Sequence, residues 1–341
     1  MDVVVWFGGG GSLGGFDAGV WAALAPRLRA HGARVVALGG ASIGALNAAF
    51  LARHAADDDH GATVLESIWR GELATPSFAF NGALEWAGDR DSRSWNGLLT
   101  GLLLGNRRLY RAAPMHWNAL HGLERRRHPL MDRDGEWRWL AARLGSIPRR
   151  DDSTPLLCAA AVDVLAGEIA LFDNASAPLG IEALAASSAI PLLFDPVEID
   201  GRLQWDGEMT RETALPAFLR RARERGAMRD PARTVLVAVD HMSRALPRVP
   251  ESGAEIADRA IELLLHGKTR IDGAALQGVG HVVRIEREPM PHDGISGQFD
   301  YSPERIGELL AQGAEQAARA WSDAGLLLQA DARTAEAAAA R

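Results

Sequence analysis

Arg34-Val35-Val36-Ala37-Leu38, Gly39-Gly40-Ala41-Ser42-Ile43-Gly44 and Ala45-Leu46-Asn47-Ala48-Ala49-Phe50-Leu51-Ala52 follow one another without interruption. The first run is short, apolar and valine-rich, which predicts a buried strand. The last holds good helix formers and neither Pro nor Gly, which predicts a helix. Between them Gly40-Ala41-Ser42-Ile43-Gly44 has to turn the chain sharply, and glycines on both sides of the serine leave that turn free of Cβ atoms. A serine held there has its hydroxyl exposed at the sheet edge, next to the positive end of the new helix. Ser42 is therefore the first candidate nucleophile. The bland alternative is a Gly-rich structural turn.

A second strand–loop–helix unit opens the chain. Val3-Val4-Val5-Trp6-Phe7 reads as a strand, Gly8 through Gly15 as a glycine loop and Phe16 through Leu28 as a helix. Gly9-Gly10-Gly11-Ser12-Leu13-Gly14 fits the dinucleotide-binding string G-x-G-x-x-G. That use needs a carboxylate after the second strand to hold the ribose, and none lies between Asp17 and Asp57. A phosphate-binding Walker loop fails as well, because the only lysine is Lys268. The remaining use is an oxyanion hole, in which backbone N–H groups turn into a cavity that side chains would otherwise fill. Two such units side by side bring this loop and Ser42 to one sheet edge.

The third feature is Trp205-Asp206-Gly207-Glu208, which follows a strand-like Val197-Glu198-Ile199 and a turn at Asp200-Gly201. Alone, Asp206-Gly207 is an ordinary turn signal. In this order, however, Gly9 to Gly14, Gly40-Ala41-Ser42-Ile43-Gly44 and Asp206-Gly207 resemble the patatin-like phospholipase family. The connecting residues extend the resemblance: Gly19-Val20, Ala45-Leu46-Asn47-Ala48, Asp163-Val164 with Gly167-Glu168, and Ala186-Ser187-Ser188-Ala189-Ile190-Pro191. It covers about residues 2–325 and is weakest between 75 and 150.

The resemblance implies a three-layer α/β fold, with a central, mostly parallel sheet and helices on both faces. It implies a Ser42–Asp206 dyad, with Gly9, Gly10, Gly11, Ser12, Leu13 and Gly14 as the oxyanion loop and Gly40, Gly44 and Gly207 as supporting turns. The activity implied is hydrolysis of carboxylic esters in lipids, without a cofactor or a metal. Acyl transfer or thioester hydrolysis would use the same dyad. Two positions depart from the family pattern. Leu13 stands where many members carry Lys or Arg, and Glu208 stands where the third motif usually ends in Gly or Ala. A non-catalytic, lipid-binding homologue is the alternative those departures leave open. If Glu208 points inward, like-charge repulsion raises the pKa of Asp206.

A histidine triad is the competing catalytic design, with His281, His292 and His241 as candidates by position. His281 begins a strand instead of following one, Pro289 and Pro291 surround the approach to His292, and His241 sits just past the apolar run Val235–Asp240. Cys158, the single cysteine, lies in an apolar run and reads as a small core residue. Asp57-Asp58-Asp59-His60 reads as a loop after a helix, not a metal site.

A chain of 341 residues buries a sizeable core, and no polar or Pro-rich linker divides it. We expect one hydrolase domain over 1–325, a helical cap or insertion over about 75–150, and an alanine-rich tail over 326–341. A net charge of −7 argues against a nucleic-acid partner. One cysteine and the lack of a basic, apolar leader fit a cytoplasmic setting. Charge is uneven, though: between Arg107 and Arg150, 11 arginines face only Glu124, Asp132, Asp134 and Glu136. Trp86, Trp95, Trp117, Trp137 and Trp139 and the run Leu98–Leu104 lie nearby. Either this segment packs its tryptophans inward, or it is an amphipathic surface that settles on anionic lipid.

Overall fold

The first apolar run becomes strand β1 (Asp2–Phe7) and the run before Ser42 becomes β2 (Arg34–Ala41); each leads into a helix, α1 (Gly14–Ala30) and α2 (Ile43–Arg53). The computed structural model describes residues 1–78, 95–113, 130–210, 213–241, 279–290 and 297–339, with scattered residues between 246 and 293. Helix α3 (Ala62–Ser67) continues as a π-helical segment, Ile68–Leu73. Three short strands follow, β3 (Gly105–Asn106), β4 (Tyr110–Ala112) and β5 (Met131–Asp132), and then α4 (Asp134–Arg143). The remaining elements are β6 (Leu156–Asp163), β7 (Ile169–Asp173), α5 (Ile181–Ser187), β8 (Val197–Ile199) and β9 (Arg202–Asp206). The chain ends with α6 (Leu215–Glu224), β10 (Thr234–Asp240), β11 (His281–Glu286) and α7 (Pro303–Ala339).

Strand order in the main sheet is β11–β10–β1–β2–β6–β9–β8, with β7 also paired to β6. The run from β11 to β6 is parallel throughout, whereas β7, β8 and β9 pair antiparallel. The two-residue period of a strand explains why each apolar run is buried on both sides. Val3, Val5 and Phe7 face one core together with Val235, Val237 and Val239. Val4 and Trp6 face a second core, in which Phe218 of α6 packs at 5.4 Å from Trp6. Helices α1, α2 and α7 cover the first face, and α6 covers the second. Full burial of a side chain such as Phe7 contributes roughly 1.5–3 kcal/mol.

Register carries the functional consequence. Phe7 lies opposite Gly40 of β2 and Val239 of β10, so these three parallel strands end at one level. Ala41 lies opposite Ala160, and Ala161 opposite Asp206. The glycine loop, Ser42, Asp206 and His241 therefore meet at one end of the sheet. In open α/β sheets the crevice beyond the carboxyl ends of the strands is where ligands bind.

Within residues 75–150 the described part is not only helical. β3, β4 and β5 form an antiparallel sheet beside α4. Trp139 is buried and donates to Glu72 Oε2 at 2.8 Å, and Trp137 is half-buried. Trp86, Trp117 and Glu124 lie outside the described residues. Helix α7 runs unbroken past residue 325.

Candidate active site

Ser42 is the residue where strand becomes helix. Its backbone (φ 54°, ψ −128°) is left-handed, a conformation that costs a non-glycine residue about 1–3 kcal/mol. The surroundings hold it there. Its N–H donates to the carbonyl and hydroxyl oxygens of Ser187, each at 3.0 Å. A Cβ at Gly40 would fall 2.4 Å from the Gly44 carbonyl carbon, and one at Gly44 would fall 2.3 Å from Gly8 O. Only glycine permits this tight crossing of the turn against the loop after β1.

Asp206 closes β9 and is held by the same segment. Its N–H donates to Ala189 O at 2.9 Å, and the Gly207 N–H donates to Ser187 O at 3.1 Å. Ser187 thus ties the serine turn to the aspartate turn. Ser42 and Asp206 are 6% and 3% exposed. Burial pushes the Asp206 carboxyl up to about 7. Hydrogen bonds from the Ser42 side chain and the Glu208 N–H oppose the rise, the Glu208 charge adds to it, and Arg133 opposes it from further off. The Glu208 N–H lies 2.8 Å from Asp206 Oδ1. A carboxyl near neutrality beside a strained serine is suited to taking and returning a proton at ordinary pH.

The glycine loop lies against both residues. A Cβ at Gly9 would sit 3.0 Å from Ser42 Cβ and 2.6 Å from Glu208 Cγ. Glu208 points inward, and its Oε1 accepts the Gly9 N–H at 2.9 Å. The Ser12 N–H is taken by Gln298 O at 2.8 Å and the Leu13 N–H by Gly10 O at 3.1 Å, while the Gly14 N–H caps its own turn. Among the described residues no acceptor is recorded for the Gly10 or Gly11 N–H. Leu13 is buried in the core, so its side chain offers no charge to the site.

Of the described histidine candidates, only His241 lies at this end of the sheet. His281 opens β11, at the amino end of the parallel sheet, opposite Ser42. His292 lies outside the described residues. His241 has both ring nitrogens engaged beneath the loop, on Asp17 and on the Gly9 carbonyl. Cys158 is buried within β6, where burial raises its thiol well above the ordinary range. Asp59 caps α3, accepting the Gly61 N–H at 3.0 Å and the Thr63 N–H at 2.6 Å.

Sequence reasoning missed Arg133. It is buried, not solvated: it pairs with Glu136, donates to Ala185 O at 3.0 Å and Ser188 Oγ at 2.8 Å, and lies 4.6 Å over the Phe194 ring. Its i,i+3 spacing to Glu136 was the one local signal. A small cavity of about 50 Å³ opens beside Ser42, lined by Ile43, Leu46, Leu109, Phe194, Phe299 and Tyr301. A larger cavity of about 330 Å³ lies around Arg34 and Arg150, near the other end of β2, and includes neither Ser42 nor Asp206. No described helix is long and apolar enough to cross a membrane.

The profile of the family described as patatin-like phospholipase matches residues 5–219. No curated protein matches the chain. Among solved structures, VipD from Legionella pneumophila is similar at 12% identity and a TM-score of 0.41, over 94% of this chain and 67% of that one. The type III effector protein ExoU is similar at 15% identity and a TM-score of 0.34, over 94% of this chain and 52% of that one. ExoU in its heterodimeric complex with SpcU, from the type III secretion system of Pseudomonas aeruginosa, gives 14% and 0.32, over 95% of this chain and 51% of that one. This chain thus spans about half the length of ExoU.

Proposed function

The chain belongs to the patatin-like phospholipase family, and from that premise we propose that it is a serine lipid acyl hydrolase working through a Ser42–Asp206 dyad. The observation that carries the proposal is the strained, buried Ser42 beside a carboxyl raised to about 7. Ser42 Oγ attacks the ester carbonyl as ionised Asp206 takes its proton. Asp206 then gives that proton to the departing alcohol, leaving an acyl group on Ser42. Water, deprotonated by Asp206, attacks the acyl carbon, and Asp206 returns the proton to Ser42 Oγ as the acid leaves. Of the loop expected to hold the oxyanion, the Gly10 and Gly11 N–H groups are the donors that meet no acceptor among the described residues. The amino end of α2 adds positive potential at the same point. The cavity beside Ser42 is lined mainly by apolar side chains, the surroundings an acyl group on Ser42 would meet. Fatty-acid release from phospholipid vesicles, followed by mass spectrometry, tests this reading; wild-type protein that releases none would overturn it.

Glu208 has a defined part in this scheme. Glu208→Gln keeps an oxygen for the Gly9 N–H but removes a charge that adds to the rise burial causes at Asp206. Since Asp206 works only when ionised, kcat/KM is expected to rise with pH, with a midpoint near 7 in the wild type. We expect the midpoint to move to lower pH in Glu208→Gln. A pH–rate profile with an unmoved midpoint would show that this charge does not reach the base.

The lipid surface is the second element of the proposal. Leu103 and Leu104 are each 53% exposed, and exposed Arg107 and Arg108 follow after the buried Gly105-Asn106. Leu130 and Leu192, 60% and 80% exposed, meet through a 3.2 Å backbone hydrogen bond. Apolar side chains beside arginines favour contact with anionic bilayers. The double variant Leu103→Asp/Leu104→Asp is expected to lose about tenfold in release from anionic vesicles. Turnover of a soluble ester should be unchanged; equal loss on both substrates would speak against a membrane role.

A further inference from the structure

Beneath the glycine loop lies a pair of titratable side chains that the dyad does not use. Asp17 of α1 and His241, just past β10, are both 0% exposed. His241 Nε2 is hydrogen-bonded to Asp17 Oδ1. The other carboxyl oxygen of Asp17 accepts from Asn47 Nδ2 at 2.9 Å. Asn47 also donates to Gly14 O at 3.0 Å and accepts from Trp69 Nε1 at 2.9 Å. The second ring nitrogen, His241 Nδ1, faces the Gly9 carbonyl at 3.3 Å. The Phe16 ring stands edge-on to the imidazole, and Arg287 Nε donates to the His241 carbonyl at 2.6 Å.

The protons follow from the acceptors. A carbonyl oxygen only accepts, so a hydrogen bond between His241 and Gly9 requires a proton on Nδ1. The pair then holds two protons, as imidazolium with carboxylate or as neutral imidazole with carboxylic acid. Both forms keep Nδ1–H. Burial raises the Asp17 pKa even against the His241 charge. For His241 burial works the other way, but the Asp17 charge and hydrogen bond outweigh it, with Asp240 adding to the rise, so the ring too holds its proton more tightly.

Peptide geometry converts this bond into an orientation. The described peptides are all trans, and in a trans peptide the C=O and the following N–H point in opposite directions. Holding the Gly9 carbonyl on His241 therefore turns the Gly10 N–H away from His241. On another side Gly9 abuts Ser42, where a Cβ would lie 3.0 Å from Ser42 Cβ. We propose that the buried Asp17–His241 pair is a positioning device that holds the Gly9–Gly10 peptide so that its N–H can receive the oxyanion formed at Ser42. The proposal rests on the reading of this loop as the oxyanion hole. It makes His241 a positioning residue, not the base of a triad.

Two variants test it in the full chain. His241→Phe removes the donor to Gly9 but leaves Asp17 buried without its partner, a change that can unfold the protein. The double variant His241→Phe/Asp17→Leu replaces the whole pair with apolar groups, which proteins tolerate far better. We expect the double variant to fold, with kcat for a soluble ester lowered roughly 100-fold, as for the loss of one oxyanion donor, and KM changed by less than about twofold. In the wild type, the ¹⁵N spectrum of the His241 ring should show a protonated Nδ1 at neutral pH. A folded double variant with wild-type kcat, or an Nδ1 without a proton, would overturn the proposal. Wild-type protein without Ser42-dependent turnover would instead remove the premise, and the proposal with it.

Discussion

Ser42→Ala is expected to lower ester turnover by roughly 10⁴-fold or more, because it removes the atom that forms the acyl intermediate. The fold should survive. Ser42 contributes its N–H to Ser187, and alanine retains that donor. Alanine also tolerates the left-handed turn no worse than serine does. Loss of turnover with unchanged thermal stability is therefore the expected pairing, read by a p-nitrophenyl ester assay and calorimetry on the same sample. Activity retained within tenfold would mean that another group attacks the ester.

Asp206→Asn is expected to cost about 10³-fold or more in turnover, since general-base catalysis contributes up to about 10⁴-fold and the described residues offer the serine no histidine. It should also stabilise the protein at alkaline pH. Burial raises this carboxyl from an ordinary 3.8 to about 7, so the folded state binds a proton that the unfolded chain has already released. The stability Asp206 contributes is present below about 3.8 and is lost as pH rises through about 7. Asparagine carries no charge and keeps an oxygen for the Glu208 N–H. Its advantage over the wild type should be of the order of 4 kcal/mol above pH 7 and should shrink as pH falls towards 4. Denaturant unfolding at a series of pH values reads it. An advantage that does not change with pH would mean that Asp206 is not a carboxylate strained by burial.

Such a gain on removing a working group is what a stability–function trade-off predicts. Ser42 shows the same trade in its backbone, which sits in a region that few serines occupy. Much of the machinery around both residues is backbone: the Ser187 carbonyl accepts from Ser42 and from Gly207, and glycines 40 and 44 let the turn pack on the loop after β1.

How much of this was legible in the sequence depends on how local each feature is. The serine turn is written in consecutive residues, valine-rich strand, glycines and alanine-rich helix, so its place between β2 and α2 follows directly. The parallel core strands are legible for the same reason, since unbroken apolar runs mark strands buried on both faces. Asp206 was legible only through its order after two earlier motifs, because Asp-Gly alone reads as a turn. The inward reach of Glu208 to Gly9 joins residues 199 apart and leaves no local trace. Asp17 and His241 are 224 residues apart, and Asp17 by itself reads as an acidic residue in the first turn of a helix. Arg133 is one of 11 arginines between 107 and 150, and only its spacing to Glu136 sets it apart. Its burial depends on acceptors in α5 and beside it, more than 50 positions on. The strands between 105 and 132 are two or three residues long, too short for any period to show.

The most direct test of the dyad is covalent. Wild-type protein, Ser42→Ala and Asp206→Asn would each be treated with a fluorophosphonate serine probe and digested, and the adduct located by mass spectrometry. The expected result is a single adduct, on Ser42, in the wild type, none in Ser42→Ala, and strongly slowed labelling in Asp206→Asn. An adduct on a different residue, or Ser42→Ala labelled as fast as the wild type, would contradict it.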